Sequence, residues 1–465
     1  MPKKHVIYYL LVLQAIICTF SIIFFNGTCD NADSLVHYLF AKYAPLHPKL
    51  FFDHWAKPVY VILASPFAQL GFTGIKIFNS IISLMTIFYT YKTAEILKLK
   101  NALLVIVIMM FAPLNYIITF SGLTEPLFAL FTILGIFFCA RQKYLSASVI
   151  ISFLPYVRSE GLIIIGVFSL YFIIKKAWRV LPFLLSGSIF FSIAGYFVYH
   201  DLLWVFTKIP YATLSSVYGK GPLLHFVEEL INVLGVPLYA LLWIGFILIW
   251  VKILKRKAQI EEVFLLLFGF GAFVVAHSLF WYLGIFNSLG LKRVLIGIMP
   301  IMAIIALLGF NFLSDYFFRA KKIPNLILQV LLITYIIIFP FTINPAAIHW
   351  QKEMRLGKDQ VLANQMSKYF LEKNDTHHLF IYDHQQLSIG MGIDPFDDTK
   401  CKNISKGNIL AMKPGDVIIW ENIFAEDEAD IKKDEIEKIP GLVKLCSYDA
   451  IADGKELIFS AYKKE

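Results

Sequence analysis

The stretch Asn26 to Lys57, NGTCDNADSLVHYLFAKYAPLHPKLFFDHWAK, lies between two long apolar runs and carries Asp30, Asp33, Asp53, His37, His47 and His54. Carboxylates are scarce around it. The first 343 residues hold 12 of the chain's 33, and three of those fall in this one loop. Ionised side chains beside hydrocarbon are costly and mark function by default. Asp33 opens the helix-like segment Asp33-Ser-Leu-Val-His-Tyr38. A carboxylate there can cap a helix, or it can act as a general base that takes a proton from a hydroxyl. Asp30 is the alternative base, and otherwise a solvated turn residue. Asp53-His54, ahead of Trp55 and Lys57, reads as a surface pair or as a substrate contact.

Three further places pair with this loop. In Ser121-Gly-Leu-Thr-Glu-Pro126 the glutamate starts a helix, where the dipole stabilises it. Glu125 can equally bond a sugar hydroxyl or a cation. Arg158-Ser-Glu-Gly161 puts a guanidinium and the Glu160 carboxylate within one turn. They can neutralise each other, or Arg158 can grip phosphate oxygens bidentately. Lys292-Arg293 opens a helix on what the topology below makes the outer side, against the usual charge bias, which favours an anionic ligand there. His277, inside an apolar run, reads first as a packing residue. No P-loop, GxSxG, HExxH or glycine-rich dinucleotide turn is present. The five cysteines show no zinc spacing. We therefore expect neither metal nor cofactor. Cys401 and Cys446 remain a possible disulfide pair, which their number alone does not decide.

The elements that must position these groups are read from hydropathy. The 465 residues are 58% hydrophobic and 16% charged, against about 25% charged in soluble chains. Repeated apolar runs mark a polytopic α-helical membrane protein with about 11 transmembrane helices. These run near 6–25, 74–95, 101–118, 124–140, 145–157, 161–174, 180–200, 230–251, 262–283, 293–314 and 324–343. The N-terminal run has no small-x-small cleavage site and reads as an uncleaved first helix. The segment 58–71 is too short to span and reads as interfacial or re-entrant. The loop 201–229, with Trp204, Phe206, Tyr211, Tyr218 and Phe226, is expected along the membrane interface.

The net charge of +9 invites a nucleic-acid reading, but its distribution excludes one. The first 343 residues carry 26 Lys and Arg against 12 acids, and the last 122 carry 16 against 21. With eleven spans, six basic clusters fall on one side, which the positive-inside rule makes cytoplasmic. They lie at Lys3–Lys4, Lys92–Lys100, Arg141–Lys143, Lys175–Arg179, Lys252–Lys257 and Arg319–Lys322. The N-terminus is then cytoplasmic, and the loop 26–57 and everything after 343 lie outside. Residues 1–343 form the membrane domain. Residues 344–465 form a small extracytoplasmic α/β domain, with a helix over 352–373, strands at 378–383, 416–420, 442–448 and 456–462, and a solvated acidic helix face over 426–437.

The acid of the first outer loop, Leu123-Thr-Glu-Pro126, Arg158-Ser-Glu-Gly161 and the outward Lys292-Arg293 pair together resemble the GT-C superfamily of integral-membrane glycosyltransferases. The likeness is to the lipid-phospho-sugar-dependent, mannosyltransferase-like members, over most of residues 1–343. The resemblance implies a polyprenyl- or dolichyl-phosphate-linked sugar donor and inverting transfer to a glycan, lipid or protein hydroxyl. It implies the loop acid as base, with Arg158 and Arg293 stabilising the departing lipid phosphate. Glu125, Glu160, Lys292 and His54 join them as substrate-binding residues. The chain departs from the commoner pattern in having Asp33-Ser34 where an adjacent acidic pair is usual, which leaves Asp30 and Asp33 both open as the base. It also has Arg158-Ser-Glu where Arg-Pro-Glu is common. The composition leans towards a bacterial inner membrane rather than the endoplasmic reticulum. A transporter or flippase, or a non-catalytic membrane scaffold for the outer domain, are the competing readings. Against transport, the polar groups gather at one face rather than at mid-membrane, and no repeat is present.

Overall fold

The computed structural model describes residues 3–30, 32–210, 218–318, 322–342, 354–373 and 378–465. Each of the eleven apolar runs is helical, as expected where no backbone donor can be left unpaired in hydrocarbon. In chain order the helices are α1 (Lys3–Phe24), α2 (Asp33–Tyr43), α3 (Pro58–Ala68), α4 (Phe72–Ile96), α5 (Leu104–Phe111), α6 (Pro113–Ile118), α7 (Glu125–Ala140) and α8 (Tyr144–Ile151). They continue with α9 (Gly161–Ile174), α10 (Ser186–Tyr199), α11 (Trp204–Thr207), α12 (His225–Leu234), α13 (Val236–Leu254), α14 (Gly269–Leu283), α15 (Met299–Phe318) and α16 (Lys322–Ile338).

Among the described residues, six segments are long and apolar enough to cross a membrane: His5–Phe24, Phe72–Ile96, Trp178–Tyr199, Val236–Leu254, Glu262–Leu283 and Lys292–Phe317. The others are shorter, and proline accounts for much of the difference from the expected spans. The run 101–118 breaks into α5 and α6 at Pro113, and the run 145–157 ends its α-helix at Ile151 before a 3-10 turn at Leu154–Tyr156. Proline removes a backbone donor and clashes with the preceding turn. The run 230–251 divides at Gly235, whose φ of +75° lets α12 end and α13 begin at a new angle. The loop 201–229 also differs from expectation. Trp204 and Phe226 are buried in the protein, and the Trp204 indole donates to the Phe191 carbonyl at 2.8 Å. Phe206 and Tyr218 are exposed, and Tyr211 falls outside the described residues.

The segment Lys292–Phe317 runs through the bundle with every residue of 294–311 buried, while Phe312, Tyr316 and Phe317 at its end are exposed. It packs α15 against α13 through two glycines. A Cβ on Gly245 would meet the Ile305 carbonyl oxygen at 1.9 Å, and one on Gly309 would meet that of Leu241 at 2.1 Å. Small residues of this kind let helix backbones approach where no hydrophobic force drives them together.

At the bundle end away from the starts of α7, α9 and the 292–298 turn, lysines meet acids: Lys92 with Glu95 at 2.9 Å, Lys100 with Asp315 at 2.8 Å, Lys175 with Glu261 at 2.6 Å and Lys252 with Glu262 at 2.7 Å. These are four of the basic clusters' neighbours from the sequence. Arg319 and Lys321 lie outside the described residues, as does the 343/344 boundary.

The tail begins with α17 (Lys358–Glu372) and builds a five-stranded sheet in the order β2-β1-β3-β5-β4. The strands are β1 (Phe380–Ile381), β2 (Cys401–Lys402), β3 (Val417–Glu421), β4 (Leu442–Ala452) and β5 (Lys455–Lys464). β1 is parallel to β2 and β3, while β3-β5-β4 is antiparallel. The expected strands are present, β1 shorter and β4 longer than read, and β2 is additional. Of the acidic run, only Lys433–Glu437 is helical. Cys401 and Cys446 are free and sit on opposite edge strands. Four strand spacings, roughly 19 Å, are far beyond disulfide reach.

The tail is seated on the first loop. Gln360 Nε2 donates to Thr28 Oγ1 at 2.9 Å, Gly27 N to the Met354 carbonyl at 2.9 Å, and Tyr43 OH to the Ile393 carbonyl at 3.2 Å. His47 Nε2 and Asp394 Oδ2 are 2.8 Å apart. The close α13–α15 crossing generates a prediction: Gly245→Leu forces that crossing open and costs about 1–3 kcal/mol, read as a lower melting temperature in detergent, whereas Gly271→Leu, with open space around its Cβ position, leaves it unchanged.

Candidate active site

The site is built on the start of α2. Asp30 Oδ1 accepts hydrogen bonds from the backbone N–H groups of Ala32 (3.1 Å) and Ser34 (2.9 Å). Asp30, not Asp33, therefore satisfies the open donors of this helix start. Ser34 ties the first loop to the 121–125 turn: its Oγ donates to the Thr28 carbonyl at 3.0 Å and accepts from Gly122 N. A Cβ on Gly122 would meet the Ser34 carbonyl oxygen at 2.2 Å, so the glycine of Ser121-Gly-Leu is what allows this approach. Asn79, from α4, donates to the Ser121 and Leu123 carbonyls at 2.7 and 3.1 Å and locks the turn that delivers Glu125.

Two arginines collect the acids. Arg293 Nη1 donates to Asp30 Oδ2 and Nη2 to Asp33 Oδ2. Its Nε lies 3.5 Å from Glu125 Oε1. Arg158 Nη1 is 2.8 Å from the same Glu125 oxygen and donates to Thr124 Oγ1 at 3.1 Å, while Nη2 donates to Glu160 Oε1 at 2.8 Å. Glu125 is fully buried. Neither of its oxygens completes a well-directed hydrogen bond among the described residues, nor do the Nε atoms of Arg158 and Arg293. The pairing of Glu125 is thus electrostatic, with hydrogen-bonding capacity left over. Asp33 is the most accessible acid of the set: its side chain is 40% exposed, against 18% for Asp30 and 18% for Glu160.

The structure accordingly brings Asp30, Asp33, Glu125, Arg158, Glu160 and Arg293 into one cluster. It places two others outside it. His54 Nε2 donates to the Val205 carbonyl at 2.9 Å and its ring packs on Trp204. Burial, then Lys57, hold its pKa below the usual histidine value. Lys292 is half exposed, 3.7 Å from Glu229. Asp53 turns inward on its own loop, accepting from Trp55 N and Ala56 N at 2.8 and 2.9 Å.

Two neighbours of the cluster were not singled out in the sequence. Lys57 is buried, held at φ +69°, and donates to Ser159 Oγ at 2.9 Å. Burial lowers its pKa to about 8, against the opposing pull of Glu160. His37 stacks on Trp55, with ring centroids 4.8 Å apart. Burial, then the charges of Arg158, Arg293 and Lys57, hold it at about 3, so it is neutral at pH 7. Lys57-Pro58 at the start of a short apolar helix was the only signal for the lysine, and it is a weak one. Glu160 runs the other way: burial would raise its carboxyl, but Arg158, with His277, brings it down to about 2. His277 packs on Phe273 and Phe226, with centroids at 4.6 and 5.4 Å, and its Nε2 has no partner among the described residues.

The division of labour between the two aspartates is testable on the folded protein without substrate. Asp30→Ala removes the acceptor for two helix-start amides and costs about 1 kcal/mol more than Asp33→Ala. Matched thermal denaturation of the two variants in detergent reads the difference.

No family model matches the chain, and no curated protein matches it in sequence. Solved structures do. The crystal structure of ArnT from Cupriavidus metallidurans bound to undecaprenyl phosphate superposes with a TM-score of 0.61 at 11% identity, over 98% of this chain and 98% of that one. The apo form of the same protein superposes with a TM-score of 0.62 at 10% identity, over 97% of each. The likeness runs through the membrane helices and the tail alike, and this chain therefore has the fold of ArnT over nearly its whole length.

Proposed function

We propose that this protein is a membrane glycosyltransferase that moves a sugar from a polyprenyl-phosphate donor to an acceptor hydroxyl. The observation that carries the reading is the convergence of Asp30, Asp33, Glu125 and Glu160 on Arg158 and Arg293 at one end of the helical bundle. Undecaprenyl phosphate bound to ArnT, a protein of the same fold, supports a lipid phosphate as the anion these cations meet.

In this reading Asp33 is the base. Asp30 is committed to backbone amides and Glu125 and Glu160 to Arg158; Asp33, although paired with Arg293 through Oδ2, is the most accessible of the four, its side chain 40% exposed. The acceptor oxygen attacks the anomeric carbon, its proton passes to Asp33, and the bond from that carbon to the phosphate oxygen breaks. Attack opposite the leaving group inverts the centre. The lipid phosphate departs carrying the negative charge, and Arg158, Arg293 and Lys57 stabilise it where charge develops. The lysine-rich far end of the bundle supports a cytoplasmic assignment for that face, with the site and tail outside, in a bacterial inner membrane.

Asp33→Asn should lower transfer from a radiolabelled polyprenyl-phosphate hexose by about 100-fold or more while lipid-phosphate binding persists. Unchanged transfer removes Asp33 from the role. A second prediction follows from Lys57. Its cation, titrating at about 8, is present below that pH and lost as pH rises through it, so kcat/KM for the donor should fall on an alkaline limb near that value. In Lys57→Arg, whose side chain stays charged, the limb should disappear from the accessible range.

A further inference from the structure

A cavity of about 860 Å³ lies between the end of α1, the start of α4 and the approach to α17. Its lining divides by chemistry. Ile23, Phe24, Phe72 and Val361 supply apolar wall, and Ile23 and Phe24 are themselves openly exposed on the membrane-type helix α1. Among the described residues, the charged groups that line it are Lys76 and Arg355, both cationic, and no carboxylate does. Lys76 is only 5% exposed. Its Nζ donates to the Phe25 carbonyl at 2.9 Å and stands 5.8 Å from the Phe72 ring centre. An ammonium has three donors, and a buried cation without a counter-ion is unfavourable. Arg355 is exposed at the mouth and carries a fork suited to phosphate oxygens.

We propose that this cavity is a second lipid site, which holds the phosphate-bearing head of an anionic membrane lipid between Lys76 and Arg355 while the acyl chains follow Ile23 and Phe24. The apolar wall is continuous with the lipid-facing surface of α1, and that continuity selects an amphiphile over a free anion. The cavity lining shares no residue with the Arg158–Arg293 centre.

The test is binding of didecanoyl phosphatidylglycerol to the delipidated full-length protein, scored by native mass spectrometry. Arg355→Gln should weaken binding roughly fivefold, as expected for one interfacial cation. Lys76→Met combined with Arg355→Gln should weaken it more than tenfold. Lys100→Gln, which removes an exposed cation at the far end of the bundle, should leave it in place, and phosphatidylcholine of the same chain length should bind more than tenfold more weakly. Equal affinity of wild type and Arg355→Gln, or of the two lipids, overturns the proposal. Displacement by equimolar inorganic phosphate assigns the cavity to a free anion and also overturns it. Arg355 is exposed, so its variant reports even where Lys76→Met fails to fold. No donor is used, so the outcome is independent of the transferase reading.

Discussion

A guanidinium held between two carboxylates of a distant loop is the constraint on which the arrangement turns. Arg293 stands at the head of the most buried helix of the bundle, and Asp30 and Asp33 stand at the head of a short helix 260 residues earlier. Arg293 and Asp30 depend on each other, since removing one partner of a buried pair leaves an uncompensated charge worth about 3–5 kcal/mol, while Asp33, 40% exposed, is screened by solvent and adds less. Their mutual neutralisation fixes where the first loop lies, and with it the turn bearing Glu125 and the segment bearing Arg158. The same groups that hold the loop are those a phosphate and a hydroxyl would meet, so structure and proposed chemistry draw on one set of charges.

The two ends of the bundle treat charge differently. At the far end each acid has a lysine, and the pairs are at least partly exposed, where such contacts contribute only about 0–1 kcal/mol. At the site end, four carboxylates share two arginines, and among the described residues hydrogen-bonding capacity is left unused on Glu125, His277 and both Nε atoms. A folding-only role would favour complete satisfaction. Unspent donors and acceptors in a buried cluster are what a site awaiting a polar ligand retains.

The tail adds a boundary. Its contacts to Thr28, Gly27, Tyr43 and His47, made by Met354, Gln360, Ile393 and Asp394, all fall on the first loop, so the tail packs on the polar end rather than standing as an independent appendage. Its mixed sheet accounts for the two unpaired cysteines. With the long β4–β5 hairpin on one edge and the short β2 on the other, Cys401 and Cys446 stay apart whatever the redox conditions.

Much of this was legible in the residues. Apolar run length gave the helices, because hydrocarbon admits no unpaired backbone. Scarcity picked out Asp30, Asp33, Glu125, Arg158, Glu160 and Arg293, because charges near lipid are rare enough to count. What the sequence could not carry was distance and competition. Asp30 and Asp33 look alike three residues apart, and only the folded helix start shows that both meet Arg293 while Asp30 is also spent on amides and Asp33 is the more exposed. Lys57 was one lysine among several until packing buried it beside Ser159, and His54 and Lys292 were plausible ligands until the fold turned them to Val205 and Glu229. Local pattern is set by covalent order and solvent preference. The choice among chemically equivalent side chains is made by contacts between segments hundreds of residues apart, and those exist only in the tertiary structure.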